Sequence, residues 1–276
     1  GGIIMKWGVL SGKGLLPLEV AKGMRRSGIE PVIIGLATDL EAFRDEGFIV
    51  EEGSLGQLNS VLQLFIKHQV DRIVMAGKVS KEALFSGKGI DQDLKLLFSR
   101  LDQKNDDSIQ LAIVRYFAAK GIVVEKQTKF LDHLIPEKGL LAGPSLNDQE
   151  KEDVKLGYKM AKKVGGLDIG QSVVVKKGMV LAVEAVEGTD RTILRGGELG
   201  GEGVVVVKVA KPQQDLRFDV PAIGMTTLKA VIACKARVLA VQAGVTFIME
   251  KDKLLEEAEK HGISVIAIDD LTIIDK

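Results

Sequence analysis

The stretch Lys6–Met24, KWGVLSGKGLLPLEVAKGM, reads as strand, turn and helix in immediate succession. Its apolar start, KWGVL, has the length of a buried strand. Gly12 and Gly14 then break the run, and Pro17 suits the first turn of a helix over Pro17–Ser27. Outward from here the pattern repeats. EPVIIGL, FIVEEG, VDRIVMAG and GIVVE read as further strands, while Leu55–His68, Asp91–Leu101 and Ser108–Lys120 carry apolar residues at helical spacing. Strands alternating with helices of this length predict a parallel sheet with crossover helices. The expected fold class is α/β, with a Rossmann-like N-terminal domain over residues 1–135.

The alternation stops at LIPEKGLLAGPS, Leu134–Ser145, where two prolines and two glycines fall among exposed-looking residues. A linker is expected over 136–146, and a second domain over 147–276. That domain opens with a highly charged helix capped by Asn147 or Asp148. QSVVVKKGMVLAVEAVEG predicts a hairpin around Lys177-Gly178, GEGVVVVKVAK a core strand, and RVLAVQAGVTFIMEK two short strands around Gly244. A helix over Lys251–His261 and the strand SVIAI follow. The texture is mixed α+β, and the glycine-rich GGELGGEG at 196–203 is expected to be a flexible loop.

Bulk composition narrows the function. Among the 276 residues, Lys+Arg and Asp+Glu both number 38, so the chain lacks the basic excess of a nucleic-acid binder. Hydrophobic residues make up 46% and aromatics only 4%, an aliphatic content suited to buried parallel strands. A single cysteine, Cys234, excludes an internal disulfide and any multi-cysteine metal site, and points to a reducing cytoplasm. No apolar run approaches the roughly 18–20 residues of a membrane span. The start GGIIMKWGVLSGKG lacks the regions of a signal peptide, so the expected location is cytoplasmic, with at most a peripheral place on the inner membrane face.

Several stretches can carry chemistry, each with a plain structural alternative. The turn Gly12-Lys13-Gly14-Leu15 before Pro17 lies where nucleotide phosphates often sit, yet it fits no standard phosphate fingerprint and serves equally as a tight strand-to-helix turn. Gly77-Lys78 after RIVMA offers a second turn with a cation. Asp106-Asp107 begins a helix, where N-capping is the simpler reading. In AVEAVEGTDRT, Glu184, Glu187, Gly188, Thr189 and Asp190 cluster: Thr189 or Asp190 caps a helix, or Gly188-Thr189 holds phosphate oxygens beside a cation-binding carboxylate. KPQQDLRFDVPAIG, Lys211–Gly224, packs charges between prolines and a glycine, which argues for a rigid, shaped loop. Lys211, Arg217 and Lys208 suit phosphate, and Asp215 and Asp219 suit Mg²⁺ or the orientation of a water. The alternative is a surface loop of mutually paired charges. His68, His133 and His261 are too scattered for zinc, and the chain has no G-x-S-x-G elbow.

Taken together, GKGLLP, the DD before a helix, LDIGQSVVVKKGMVLAVEAVEGTDRT and KPQQDLRFDVPAIGMTT resemble the two-domain UDP-2,3-diacylglucosamine pyrophosphatases of the lipid A pathway, over nearly the whole chain. The resemblance implies Mg²⁺-dependent hydrolysis of a lipid-linked UDP-sugar to UMP and lipid X, with attack at the sugar-side phosphorus. It further implies a UDP-binding first domain and a lipid X-binding second domain, with the reaction in the cleft between them. The family's essential aspartate, in D-x-P-x-I-G, corresponds to Asp219, which also stands as the candidate metal ligand. Thr189 and Asp190 match its E-G-T-D; Lys211, Pro212, Gln214 and Asp215 match K-P-x-Q-D; Gly12, Gly14 and Pro17 match its glycine turn. Asp219, Asp190 and Lys211 are therefore the expected catalytic groups. GKVSKEALF departs from the G-K-V-x-R-P of many members.

Two other readings fit the residues. One is a pyrophosphatase acting on a soluble nucleotide sugar, and the other a nucleotide-binding regulator without turnover. A chain of this size can act as a monomer, and the apolar helices of its first half can equally face a second copy.

Overall fold

The structure, a computed structural model, describes residues 4–36, 39–79, 89–103 and 105–270. Two compact units divide the chain. The first runs to Leu131 and takes in Leu216–Phe218; the second comprises Asp132–Asp215 and the chain from Asp219 onward.

The first unit is built on β1 (Trp7–Ser11), β2 (Val32–Leu36), β3 (Ile49–Gly53), β4 (Arg72–Ala76) and β5 (Val123–Val124), all parallel in the order β3-β2-β1-β4-β5. Every residue of β1 and β2 is buried, as a parallel sheet covered on both faces requires. The helices are α1 (Leu16–Arg26), α2 (Glu41–Asp45), α3 (Leu58–Lys67), α4 (Gln92–Ser99) and α5 (Asp106–Ala119). Phe65 of α3 and Phe117 of α5, both fully buried, meet edge to face with centroids 5.9 Å apart. Asn105, not either aspartate, caps α5: its side chain accepts from the Ser108 amide at 2.9 Å. Asp106 and Asp107 are instead the first helical residues, where their charge favours the positive end of the helix.

In the second unit the sheet is mixed, in the order β6-β13-β11-β9-β7-β8. Its parallel centre is β9 (Val205–Lys208), β11 (Val238–Gln242) and β13 (Ser264–Ile268). β7 (Ser172–Lys176), β8 (Met179–Val183) and β6 (Gly139–Ala142) join antiparallel. Residues read as linker thus contain an edge strand, whose backbone groups pair with β13. A separate short parallel pair joins β10 (Ala222–Ile223) and β12 (Phe247–Ile248). The helices are α6 (Asp148–Gly166), α7 (Thr189–Gly200), α8 (Met225–Ala233) and α9 (Lys251–Lys260).

Local chemistry accounts for these elements. Asn147 and Glu150 form a reciprocal capping box at the start of α6. The β7–β8 hairpin turns through Lys177 (φ 50°) and Gly178 (φ 77°), the two positive φ values that match strand twist. Asp153 of α6, only 3% exposed, accepts from the amides of Lys177 and Gly178 at 2.8 and 2.7 Å, so its buried carboxylate is satisfied by the turn it fixes.

The flexible loop expected at 196–203 is instead, up to Gly200, the last part of α7. A Cβ at Gly196 would stand 2.5 Å from Val174 Cβ, and one at Gly197 would run into Cys234. These glycines let the helix lie directly on β7 and on the end of α8. Close packing outweighs the roughly 1 kcal/mol that each glycine costs a helix. Gly196→Ala recovers that amount but forces overpacking worth about 1–3 kcal/mol. It is expected to lower the urea midpoint, whereas Glu198→Ala on the exposed face leaves it unchanged.

Candidate active site

In the first unit the strand order reverses between β1 and β4, and open α/β sheets bind ligands outside the carboxyl ends at such a point. Two turns meet there. Lys13 N donates to Lys78 O at 2.7 Å, Lys78 N to Lys13 O at 2.8 Å, and Gly12 N to Ala76 O at 2.7 Å. A Cβ at Gly12 would lie 2.6 Å from Lys78 O, and one at Gly77 (φ 91°) would lie 2.6 Å from Gly12 C. Both glycines are therefore required by the clasp itself. Gly14 (φ 106°) faces open space, and it is here that backbone can approach a ligand.

Leu15 is exposed and Pro17 buried at the start of α1, and Leu15 gives the helix no side-chain cap. Lys13 and Lys78 are exposed beside it. Because α5 returns the chain to the parallel strand β5, its first turn, with Asp107, starts at this same carboxyl edge. Ser80–Phe85 of GKVSKEALF lie outside the described residues.

Arg217 belongs to this unit as well. Gln127 N donates to Leu216 O at 2.8 Å, and the buried Gln127 side chain donates to Met75 O at 2.7 Å. Phe218, 4% exposed, completes the first core. Sequence reading passed over Gln127, a lone polar residue whose two partners lie far away in the chain.

The second unit gathers its polar groups where β8 and β9 end. Glu184, 7% exposed, accepts from Gln171 N at 2.8 Å and from Thr189 Oγ1 at 2.7 Å, and Thr189 Oγ1 lies 3.2 Å from Ser172 Oγ. Thr189 is thus no N-cap. Gly188, with φ 85° and ψ 169°, holds that position in backbone space open essentially to glycine alone. Asp190 Oδ1 accepts from Thr227 Oγ1 at 3.0 Å, tying the start of α7 to the start of α8, which follows Gly224. The two positive helix ends are thereby held together.

Glu187 is engaged in its own turn, accepting from Arg195 at 2.6 Å and Ala185 N at 3.0 Å. Arg195 above all, then backbone amides, holds its carboxyl down at about 2.

Lys208, in register with Ser172, donates to Ala222 O at 2.8 Å. Lys211 pairs with Asp168 at 2.5 Å, and Gln214 meets Gln171 at 3.4 Å and donates to Asp215 O at 3.0 Å. Ser172, Gln171, Asp168 and Thr227 escaped sequence reading because each looks like an ordinary turn, strand-start or helix-start residue.

Asp219 stands apart by its backbone. Six non-glycine residues among those described have positive φ. Gln69, Asp168 and Lys235 end helices, Lys177 turns the hairpin, and Glu250 precedes α9. Asp219 (φ 50°) has no such role, and its conformation costs on the order of 1–3 kcal/mol. Phe218 before it and Val220-Pro221 after it are buried, so the Asp219 side chain is turned outward. Among the described residues, no group of three or more His, Cys, Asp or Glu is gathered to hold a metal. Mg²⁺ needs only one or two carboxylates beside phosphate oxygens and water, and Asp219 and Asp190 are hard oxygen donors of that kind.

Comparison with known families divides the chain in the same two parts. Residues 6–134 match the LpxI N-terminal domain and residues 137–266 the LpxI C-terminal domain. The chain belongs to the LpxI family. A similar protein is the UDP-2,3-diacylglucosamine pyrophosphatase LpxI of Caulobacter vibrioides (strain ATCC 19089 / CIP 103742 / CB 15). It is 26% identical over 275 residues, covering 96% of this chain and 98% of its own.

Two outcomes are expected from this geometry. Gly12→Ala should open the clasp, speeding amide exchange at Lys13 and Lys78 by about thirtyfold for a loss near 2 kcal/mol; unchanged rates would mean that other contacts hold the turns. Arg195→Ala should raise the Glu187 titration toward the usual carboxylate range, as read by carbon NMR. The pairing favours the charged native carboxylate. Its contribution is therefore complete above a pH of about 4.3 and lost as pH falls through about 2.

Proposed function

We propose that the protein hydrolyses the pyrophosphate of UDP-2,3-diacylglucosamine to UMP and 2,3-diacylglucosamine 1-phosphate, lipid X, in lipid A biosynthesis. The observation that carries this reading is the end-to-end match of both halves to the LpxI family, with a relative of that activity aligned over 96% of the chain. The residues suit it as well: an outward aspartate in left-handed backbone, in a stretch of sequence that also carries Lys211 and Arg217, is a sensible arrangement for an anionic phosphoric anhydride.

In this reading Asp219 orients the attacking water or ligates Mg²⁺, with Asp190 beside the Thr227 hydroxyl as its assistant. The metal would be held by one or both carboxylates and would offset charge on the phosphate oxygens. Water adds to phosphorus, the anhydride P–O bond breaks, and UMP and lipid X carry away the two phosphates. The amides at the starts of α7 and α8, with Gly188 and Thr189, suit phosphate oxygens on the sugar side. Gly14, Leu15, Lys13 and Lys78 suit the UMP half.

An amphiphilic substrate also needs an apolar surface near the polar groups. Leu167 (71% exposed), Ile169 and the fully exposed Val186 provide one. They flank the contact in which Gly170 packs on the Glu184 backbone and Gln171 N meets the Glu184 carboxylate. A cytoplasmic site of action at the inner membrane face fits such a substrate, and no helix among the described residues is long and apolar enough to cross a membrane.

The test is hydrolysis of UDP-2,3-diacylglucosamine in detergent, with and without Mg²⁺. Wild type is expected to release UMP and lipid X, to stop on chelation and to resume when Mg²⁺ is restored. Asp219→Asn, which tolerates the left-handed backbone as Asp does, should keep the unfolding midpoint and lose roughly 10²–10⁴-fold in kcat. No turnover by wild type would sink the substrate assignment. Equal turnover by both would remove Asp219 from the chemistry.

A further inference from the structure

Between α4 and α5 lies a groove of about 460 Å³, within the range of pockets that hold small ligands. Leu96, Leu97, Leu101 and Ala112 give it apolar walls. Leu96 is 51% exposed although Leu94, two residues earlier, is fully buried in the core. Around these walls stand Arg100, Arg115 and Lys120, all exposed, and among the described residues none of the three pairs with a carboxylate. The acidic group in the lining, Asp93, accepts from Tyr116 Oη at 2.6 Å. Burial first, and then this bond, pushes the Tyr116 hydroxyl up. Arg100 and Lys120 follow the ends of α4 and α5, where a cation is favourable for the helix alone, but Arg115 lies in mid-helix.

An apolar trough edged by unpaired cations complements an aliphatic chain that ends in an anionic head. A second copy of the chain fits poorly, since a two-fold interface would set the three cations against their own images. We propose that this groove docks the protein on an anionic lipid bilayer, taking one acyl chain between α4 and α5 while Arg100, Arg115 and Lys120 meet lipid phosphate. The attachment is independent of turnover and of which pyrophosphate the enzyme cleaves.

Co-sedimentation of the full chain with phosphatidylcholine vesicles, with and without phosphatidylglycerol, tests it. Wild type is expected to bind the anionic vesicles at least tenfold more tightly than the neutral ones, and less tightly as salt rises. Arg115→Glu and Leu96→Asp should each lose about tenfold with an unchanged unfolding midpoint. Lys95→Glu, an equal charge change on α4 outside the groove, should bind like wild type. Equal binding to neutral vesicles, or an equal loss in Lys95→Glu, would overturn the proposal. So would a dimer in size-exclusion chromatography that Leu96→Asp dissolves while vesicles stay unbound.

Discussion

The constraint on which the Lys211–Gly224 stretch depends is the left-handed backbone at Asp219. Phe218 is buried in the first core, and Val220 and Pro221 are buried immediately after it, so the chain has one residue in which to reverse its course. A left-handed φ is the short way to do so, and Asp is among the few side chains that adopt it at modest cost. The strain is sustained by burial on both sides. A fully buried Phe or Val contributes roughly 1.5–3 kcal/mol, enough to offset a penalty of 1–3 kcal/mol.

The same logic of fixed backbone explains the glycines. Gly12 and Gly77 meet across the two turns at the carboxyl edge of the first sheet, and any side chain at either would part them. The clasp leaves Gly14 and the start of α1 facing outward. Gly188 plays the corresponding part in the second unit: it places Thr189 as the first residue of α7, so that its hydroxyl reaches Glu184 and Ser172. In both units a candidate site residue is positioned by glycine backbone.

Much of this was legible in the chain. Parallel strands of the first unit are buried on both faces and appear as short uniform apolar runs, and Lys177-Gly178 announces its hairpin through turn chemistry. The stretch 196–203 misled because helix propensity is a weak local term, while the contacts of Gly196 with Val174 and Gly197 with Cys234 join residues distant in sequence. The place of Arg217 in the first unit was hidden for a similar reason. Nothing in KPQQDLRFDVPAIG says that three of its residues join the other unit, since that depends on Gln127 bridging Met75 and Leu216. Glu187 stands close to Asp190 in sequence, but its bond to Arg195, eight residues on along α7, is not legible there.

A chain with no net charge handling a doubly charged anhydride is consistent once charge is considered locally. Helix ends contribute about half a positive charge each without appearing in any residue count. The Thr227–Asp190 bond holds two such ends together, at α7 and α8, each following a glycine whose lack of a side chain leaves the first amides to other acceptors. Replacing a side-chain cap with glycine costs a helix only a few tenths of a kcal/mol. Under the proposed reading, fixed amide donors facing developing charge contribute several kcal/mol, far more than the missing side-chain caps cost the fold.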